Sequence, residues 1–197
     1  MPVDVPLRCA CGAVRGVARG LSPTRGHRVV CYCDDCQRFA HFLGTAEAIL
    51  DPHGGTDIFQ TSAGRIEIGE GRSSMACVRL TPRGPLRWYA GCCRTPIANT
   101  PPSAHVPFAG LIHAFADFAA TGRSRDELLG PVQSRIYARF ATGDRKPLDA
   151  YQGLPLRLFA RVAPFLLAAW LRREQLRSPF FDPSTREPIA TPDVLGS

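Results

Sequence analysis

Lysine is all but missing from this chain: Lys146 is the only one in 197 residues, so the net charge of +7 is carried by arginine. The arginines are spread along the whole length, with no dense basic run and few aromatics between them. That distribution argues against a nucleic-acid-binding strip and for a solvated basic surface, with some arginines balancing anionic metal–thiolate sites. Long apolar runs are missing too. The longest, Val162 to Leu171, is about half of the ~20 residues that a bilayer span needs, and it contains Pro164. The N-terminus, Met1 to Val5, has no basic region followed by an apolar stretch, so no secretory signal is expected and the expected compartment is the reducing cytoplasm. No Ser-His-Asp arrangement, phosphate-binding loop or dinucleotide fingerprint appears.

Cysteine, by contrast, is plentiful. In a reducing compartment the eight cysteines read as metal ligands or redox thiols rather than disulfides. Seven fall into three groups: Cys9 and Cys11, then Cys31, Cys33 and Cys36, then Cys92 and Cys93. In an extended segment residues i and i+2 face one way, so Cys31 and Cys33 aim their sulfurs at one point. The Cys33-x-x-Cys36 spacing is a turn that lets two thiolates grip one tetrahedral metal. Three ligands from this segment leave a fourth position, to be filled by water or substrate in a catalytic site, or by another side chain in a structural one. Cys9 and Cys11 need a partner half-site, and Cys92-Cys93 is the candidate of similar character. Neighbours in a strand face opposite ways, so both could meet one metal only through a turn or bulge, which Gly91 and Pro96 make plausible. Cys77 sits among apolar residues and reads as a core cysteine, with a lesser chance of supplying a missing ligand. The bland alternative for all of them is small buried residues or idle thiols.

Hydrophobic content of 45% with 21% charged residues describes an ordinary globular chain, long enough for one domain plus an extension. Alternation through Leu7, Cys9, Cys11 and Ala13 reads as a strand, and His27–Cys31 as another leading into the three-cysteine cluster. Asp35 to Leu43 reads as a short helix with Asp34 as N-cap, and Ala46 to Leu50 as a helical turn. Asp57–Thr61, Arg65–Ile68, Met75–Leu80 and Leu86–Ala90 read as successive strands of an antiparallel meander, with a further strand in Val106–Phe115. From about residue 120 the character changes. Ser124–Phe140 shows mixed periodicity. Leu154–Leu176 has a helical pattern with arginines on its other face, kinked or divided at Pro164. The tail from Ser178 reads as extended.

With those residues in view, three motifs in order resemble the glutathione-dependent formaldehyde-activating enzyme (GFA)/centromere protein V family. They are Cys9-Ala10-Cys11-Gly12-Ala13-Val14-Arg15, Cys31-Tyr32-Cys33-Asp34-Asp35-Cys36-Gln37, and Cys93-Arg94-Thr95-Pro96-Ile97 after an aromatic strand. The resemblance covers roughly residues 5 to 115. It implies a mainly β fold of coiled antiparallel sheets, a zinc-binding domain over 1–118; the partly helical C-terminal extension over 119–197 lies outside the family pattern and is expected to pack on that domain. It implies two zinc sites. Cys31, Cys33 and Cys36 would hold an open zinc where glutathione-type thiols act. Cys9, Cys11 and Cys93, with Cys92 or Cys77, would hold a structural one. Two positions depart from the family: Ala90 stands where the late motif has a cysteine, and Arg94 where it has glycine.

The activity so implied is that of a zinc-dependent carbon–sulfur lyase acting on a small thiol adduct, glutathione or a similar S-hydroxymethyl thiol. The alternatives are a non-catalytic zinc scaffold and a redox or metal-sensing thiol protein. His41, just over one helical turn beyond the three cysteines, is the expected proton shuttle, with an Asp of the Asp34–Asp35 pair or a water as the other candidates. Arg38 is expected to attract the carboxylates of a glutathione-like ligand or to balance the zinc thiolates. The C-terminal helix is expected to pack over the sheet, cap the site or pair two copies of the chain.

Overall fold

The computed structural model describes residues 2–143 and 149–195; Lys146 lies outside them. In chain order come strands β1 (Val3–Arg8), β2 (Arg15–Leu21) and β3 (His27–Cys31), then helices α1 (Asp34–Leu43) and α2 (Ala46–Ile49). They are followed by β4 (Thr56–Thr61), β5 (Ile66–Glu70), β6 (Met75–Arg79), β7 (Leu86–Ala90), β8 (Pro96–Thr100) and β9 (Ala109–Ile112). The last part holds α3 (Arg125–Leu129), β10 (Ser134–Ile136), α4 (Leu156–Leu171) and β11 (Asp193–Val194). Three strands, β1-β2-β5, make a small antiparallel sheet. The other eight form one large sheet in the order β10-β3-β4-β9-β8-β7-β6-β11.

The fold is mainly β with a C-terminal helix. The six inner strands of the large sheet pair antiparallel. The expected meander through Asp57–Thr61, Arg65–Ile68, Met75–Leu80 and Leu86–Ala90 is broken, because β5 pairs with β2 in the small sheet and β4 lies between β3 and β9; the meander runs instead through β6, β7, β8 and β9. Both edge strands pair parallel, β10 on β3 and β11 on β6. A parallel neighbour needs a long crossover, and the chain beyond residue 112 supplies one for each edge.

Other local expectations are corrected. Cys9 to Ala13 is not strand. The chain turns after Arg8, with the Cys9 N–H donating to the Val14 carbonyl (3.0 Å) and the Gly12 N–H to the Cys9 carbonyl (2.9 Å). Gly12 takes φ +78°, a conformation open to a residue without a Cβ. β2 follows, and its Gly16 has a structural reason: a Cβ there would lie 2.0 Å from the Glu67 carbonyl oxygen, where β2 and β5 close together. The N-cap of α1 is Cys33, not Asp34, and it makes no side-chain cap bond; Asp34 and Asp35 instead complement the positive end of the helix from its first turn. The strand after Phe108 is short, ending in a 3-10 turn at His113–Phe115. Pro164 neither ends α4 nor divides it. The carbonyl its ring leaves without a helical donor belongs to Ala160, which is exposed and can be met by water.

The main core lies between the two sheets. Trp88 and Leu86 of β7 meet Val5 and Leu7 of β1, Ile66 of β5, and Leu128 of α3. Phe180 and Phe181, from the tail, belong to the same core, with the Phe180 ring centroid 5.2 Å from that of Trp88. α1 and α2 cover the other face of the large sheet: Phe39, Leu43 and Ile49 pack on Val78, Leu80 and Ile112. An ion cluster built on the buried Arg28 and Asp57 pins α3 to this body. Arg28 of β3 grips Asp57 of β4 (2.8 Å) and Asp126 (2.5 Å), and Arg125 reaches Asp57 (2.7 Å).

Two cysteine clusters form the candidate metal centre

The β1–β2 turn and the turn between β7 and β8 bring four sulfurs together. The Sγ of Cys11 lies 3.6 Å from that of Cys9 and 3.3 Å from that of Cys92; Cys92 is 3.9 Å from Cys9 and 3.8 Å from Cys93. All four sulfurs fall within 4.8 Å of one another. A tetrahedral zinc with ~2.3 Å bonds to sulfur would set them about 3.8 Å apart, so the set fits such an ion with small adjustments. The turn that lets adjacent cysteines converge is closed by the Ala90 N–H on the Thr95 carbonyl (2.8 Å) and the Arg94 N–H on the Ala90 carbonyl (2.7 Å). Arg94 takes φ +57°, the region glycine would occupy more cheaply. Its guanidinium donates to the Phe42 carbonyl (3.0 Å) and lies over the Phe42 ring, which ties this turn to α1.

Burial pushes the Cys93 thiol up. The Thr95 hydroxyl at 3.2 Å and the backbone N–H groups of Cys11 and Thr95 outweigh that and hold it down at about 6. The Cys92 thiol is pushed up to about 12, by partial desolvation first and then by its hydrogen bonds to Cys11, Cys93 and Cys9. Ala90 contributes no ligand; Cys92 takes that place from two residues further on. Cys77 is not in either cluster: it is buried in the main core, and desolvation pushes its thiol up to about 12.

The second cluster forms where β3 meets α1. Cys31 ends the strand, Cys33 caps the helix and Cys36 lies in its first turn, with the Cys36 N–H donating to the Cys33 carbonyl (3.0 Å). The three sulfurs lie within 4.8 Å of one another, and among the described residues no fourth cysteine, histidine or carboxylate joins them. Hydrogen bonds from Cys31 and Cys33 hold the Cys36 thiol well below its ordinary value against the opposing effect of burial, and Arg87 adds to them. The converse bonds, with burial, raise Cys31 well above its ordinary value. At Cys33 the bond from Cys31 lowers the thiol, but the bond to Cys36 and burial prevail and bring it to about 12. Binding a cation at the three sulfurs would release the protons their thiols hold.

The C-terminal segment covers this cluster. Val29 and Ile58 of the sheet, Ile136 of β10 and Leu158 of α4 pack around Cys31 and Cys36, with Tyr137, Tyr151 and Val162 at the margin. Gln37 fastens the cover, its Nε2 donating to the carbonyls of Tyr32 (2.8 Å) and Phe140 (2.9 Å).

The charged residues expected near the cluster are arranged differently. His41 lies five residues beyond Cys36, about 140° around the helix, and lines a shallow groove with Glu47, Asp51 and Pro52. Arg38 is half exposed and its Nη1 lies 4.0 Å from Asp35. The guanidinium that meets the sulfurs is that of Arg87, on β7. It is buried, with Nη1 3.9 Å from Cys36 Sγ and 3.4 Å from Asn99 Oδ1, Nη2 3.6 Å from Asp35, and its plane over Phe39. Its one sequence signal is a charged residue inside an otherwise apolar, aromatic strand.

Among the described residues no helix is long and apolar enough to cross a membrane. No curated protein matches this sequence. Residues 1–191 match a family of unknown function, DUF6151, which spans nearly the whole chain and takes in both cysteine clusters. The chain is a member of that family.

Proposed function

We propose that this protein is a zinc enzyme of the GFA type, a carbon–sulfur lyase that handles a small thiol adduct in the reducing cytoplasm. The observation that carries the reading is the difference between the two clusters. Four sulfurs converge at Cys9, Cys11, Cys92 and Cys93, a closed structural set, and three at Cys31, Cys33 and Cys36, which leaves one coordination position for a ligand. An all-thiolate zinc is a weak Lewis acid that suits thiolate binding and exchange better than hydroxide formation.

The chain's own residues supply the rest. Ile58, Ile136, Leu158 and the two tyrosines exclude water from one side of the cluster. Arg87 places a fixed positive charge beside it, where negative charge gathers on sulfur as a C–S bond breaks. In an S-hydroxymethyl adduct, RS–CH2–OH, the C–S electron pair goes to sulfur, the hydroxyl proton goes to a base, and formaldehyde leaves. Asp35, joined to Arg87, is better placed to take that proton than His41. The test follows exchange between formaldehyde and glutathione by NMR in the presence of zinc-loaded protein. Enhancement over the spontaneous rate supports the reading, and none overturns it.

The second reading is a non-catalytic zinc scaffold. What favours it is α4, which turns Leu156, Phe159, Leu167, Trp170 and Leu171 to solvent; such a face suits pairing with a second copy of the chain. A fourth protein ligand at the three-cysteine cluster in the zinc-loaded protein would decide for the scaffold.

A further inference from the structure

Helix α4 has two apolar sides, and only one of them is packed. Successive residues step about 100° around a helix. Leu158 and Ala169 share one side and are buried, with Leu158 beside Cys31 and Cys36. On the opposite side, within an arc of about 120°, stand Leu156, Phe159, Ala163, Leu167, Trp170 and Leu171. All six are exposed, and all but Ala163 are more than half exposed. A continuous stripe of large apolar side chains facing solvent differs from the single exposed leucines of an ordinary surface, and it marks a contact face.

Charge of one sign borders the stripe. Arg157, Arg161 and Arg172 follow it along one flank, about 100° to 160° around the helix from Leu156. Arg173 and Arg177 carry the row past the helix end, and all five arginines are exposed. The one acidic residue between Leu156 and Arg177 is Glu174, which is buried and faces Arg65 at 3.5 Å. The segment thus offers its arginines no carboxylate of its own at the surface. α4 has 16 residues, about 24 Å of helix, short of the ~30 Å hydrocarbon core of a bilayer. It can lie along a membrane but not cross one.

We propose that α4 docks this protein on an anionic lipid surface, with its apolar stripe at the boundary between headgroups and acyl chains and its arginines on lipid phosphates. Leucine, phenylalanine and tryptophan on one side with arginine beside them is the composition of a helix that lies in that boundary. An arginine stem can stay along the apolar layer while its guanidinium reaches a phosphate, which its fork of donors fits. Tryptophan suits the same depth, since its ring is apolar and its N–H is not. A second copy of the chain is the poorer occupant, because it would match the apolar stripe but set arginine against arginine. Docking uses no cysteine of either cluster. It places the lipid on the outer side of the helix whose inner side covers Cys31 and Cys36.

The test mixes the zinc-loaded full chain with vesicles of phosphatidylcholine alone, or of equal parts phosphatidylcholine and phosphatidylglycerol. Trp170 is the reporter, since the other tryptophan, Trp88, is fully buried. Cosedimentation should show binding to the anionic vesicles roughly tenfold tighter or more, with a blue shift of Trp170 emission. Binding should weaken as salt rises from about 0.05 M to 0.5 M, the opposite sign to pairing through an apolar face. Arg157→Gln with Arg161→Gln should weaken anionic binding by roughly tenfold or more. Phe159→Gln with Leu167→Gln should abolish the blue shift. All four positions are exposed, so circular dichroism should show the fold intact in both variants. Equal binding to the two kinds of vesicle overturns the proposal, as does binding that salt leaves unchanged. Binding without a blue shift means that the arginines alone touch the surface, and it overturns docking through the stripe. If neither vesicle is bound the proposal falls, and self-association of the same sample would name a second copy as the occupant.

Discussion

Cys11 and Cys92 are 81 residues apart in the chain, yet their sulfurs lie 3.3 Å from each other. The contact joins the turn after β1 to the turn after β7, so one ion at this point would staple the small sheet to the large one. The zinc-loaded protein should carry two ions by native mass spectrometry. Cys92→Ala should retain one, with the melting temperature falling by several degrees. Cys77→Ala should retain both, since Cys77 is a core residue remote from either cluster. Loss of an ion on changing Cys77 would overturn the assignment of Cys92 as the fourth ligand.

Removing metal should affect the two clusters unequally. In the four-cysteine cluster Cys11 and Cys92 are exposed and Cys93 half-buried, with Cys9 alone buried, and closing the set depends on the two turns holding their shape. Cys31 and Cys36 are buried in apolar packing that continues without an ion. Chelation should therefore loosen the β1–β2 and β7–β8 turns first. Hydrogen exchange should show faster amide exchange at residues 9–14 and 91–95 than at residues 29–36. The reverse order would show that the three-cysteine cluster is the one holding the fold.

How much of this was legible beforehand depended on distance along the chain. Cys31, Cys33 and Cys36 are local, and a strand running into a helix cap is enough to bring them together. The convergence of Cys92 and Cys93 needed a turn, and Gly91 and Pro96 announced one. Arg87 stands out in the sequence only as a charge inside an apolar strand; its meeting with Cys36 depends on sheet order, which no local pattern encodes. β2 was missed because Gly16 and Gly20 weaken its alternation, and β8 because it opens on a proline and carries Asn99. β10 and β11 have three and two residues, too few for any period to register. Helix rotation alone places His41 and Arg38 away from the side of α1 that bears Cys36.

The tail is part of the fold, and Phe180 provides the measure. It is fully buried against Trp88. Phe180→Ala should cost about 3–5 kcal/mol in denaturant unfolding, the range for a large aromatic removed from a core. A cost below about 1 kcal/mol would mean that the tail is dispensable packing.

His27 should make the protein acid-sensitive. It is buried on β3 with Nε2 3.0 Å from the Ser134 hydroxyl, and burial, with Arg161 nearby, pushes it down to about 4. The unfolded chain would take up this proton at about 6.5, before the folded one does. Its contribution is thus fully present above pH 6.5, is lost as pH falls from there, and is gone near pH 4. The loss comes to roughly 3 kcal/mol at most. His27→Gln should flatten the stability profile between pH 6.5 and 4, by denaturant midpoints at each pH. An unchanged slope would show that His27 protonates in place.

The apolar face of α4 makes the last prediction, because its surroundings set the sign of a salt effect. Leu156 is 85% exposed, and Phe159, Leu167, Trp170 and Leu171 are each more than half exposed. From Leu156 to Arg173 there are four arginines and no acidic residue. Two copies pairing through this face would bury apolar area but bring like charges together. Association should therefore strengthen as salt rises, since screening removes the repulsion and leaves the apolar contact. Sedimentation equilibrium at about 0.05 M and 0.5 M salt reads the difference. Leu167→Arg with Trp170→Arg should leave a monomer at both. A monomer at every salt concentration would end the pairing hypothesis. Association that weakens with salt would mean that charge drives it and that the apolar face is not the contact.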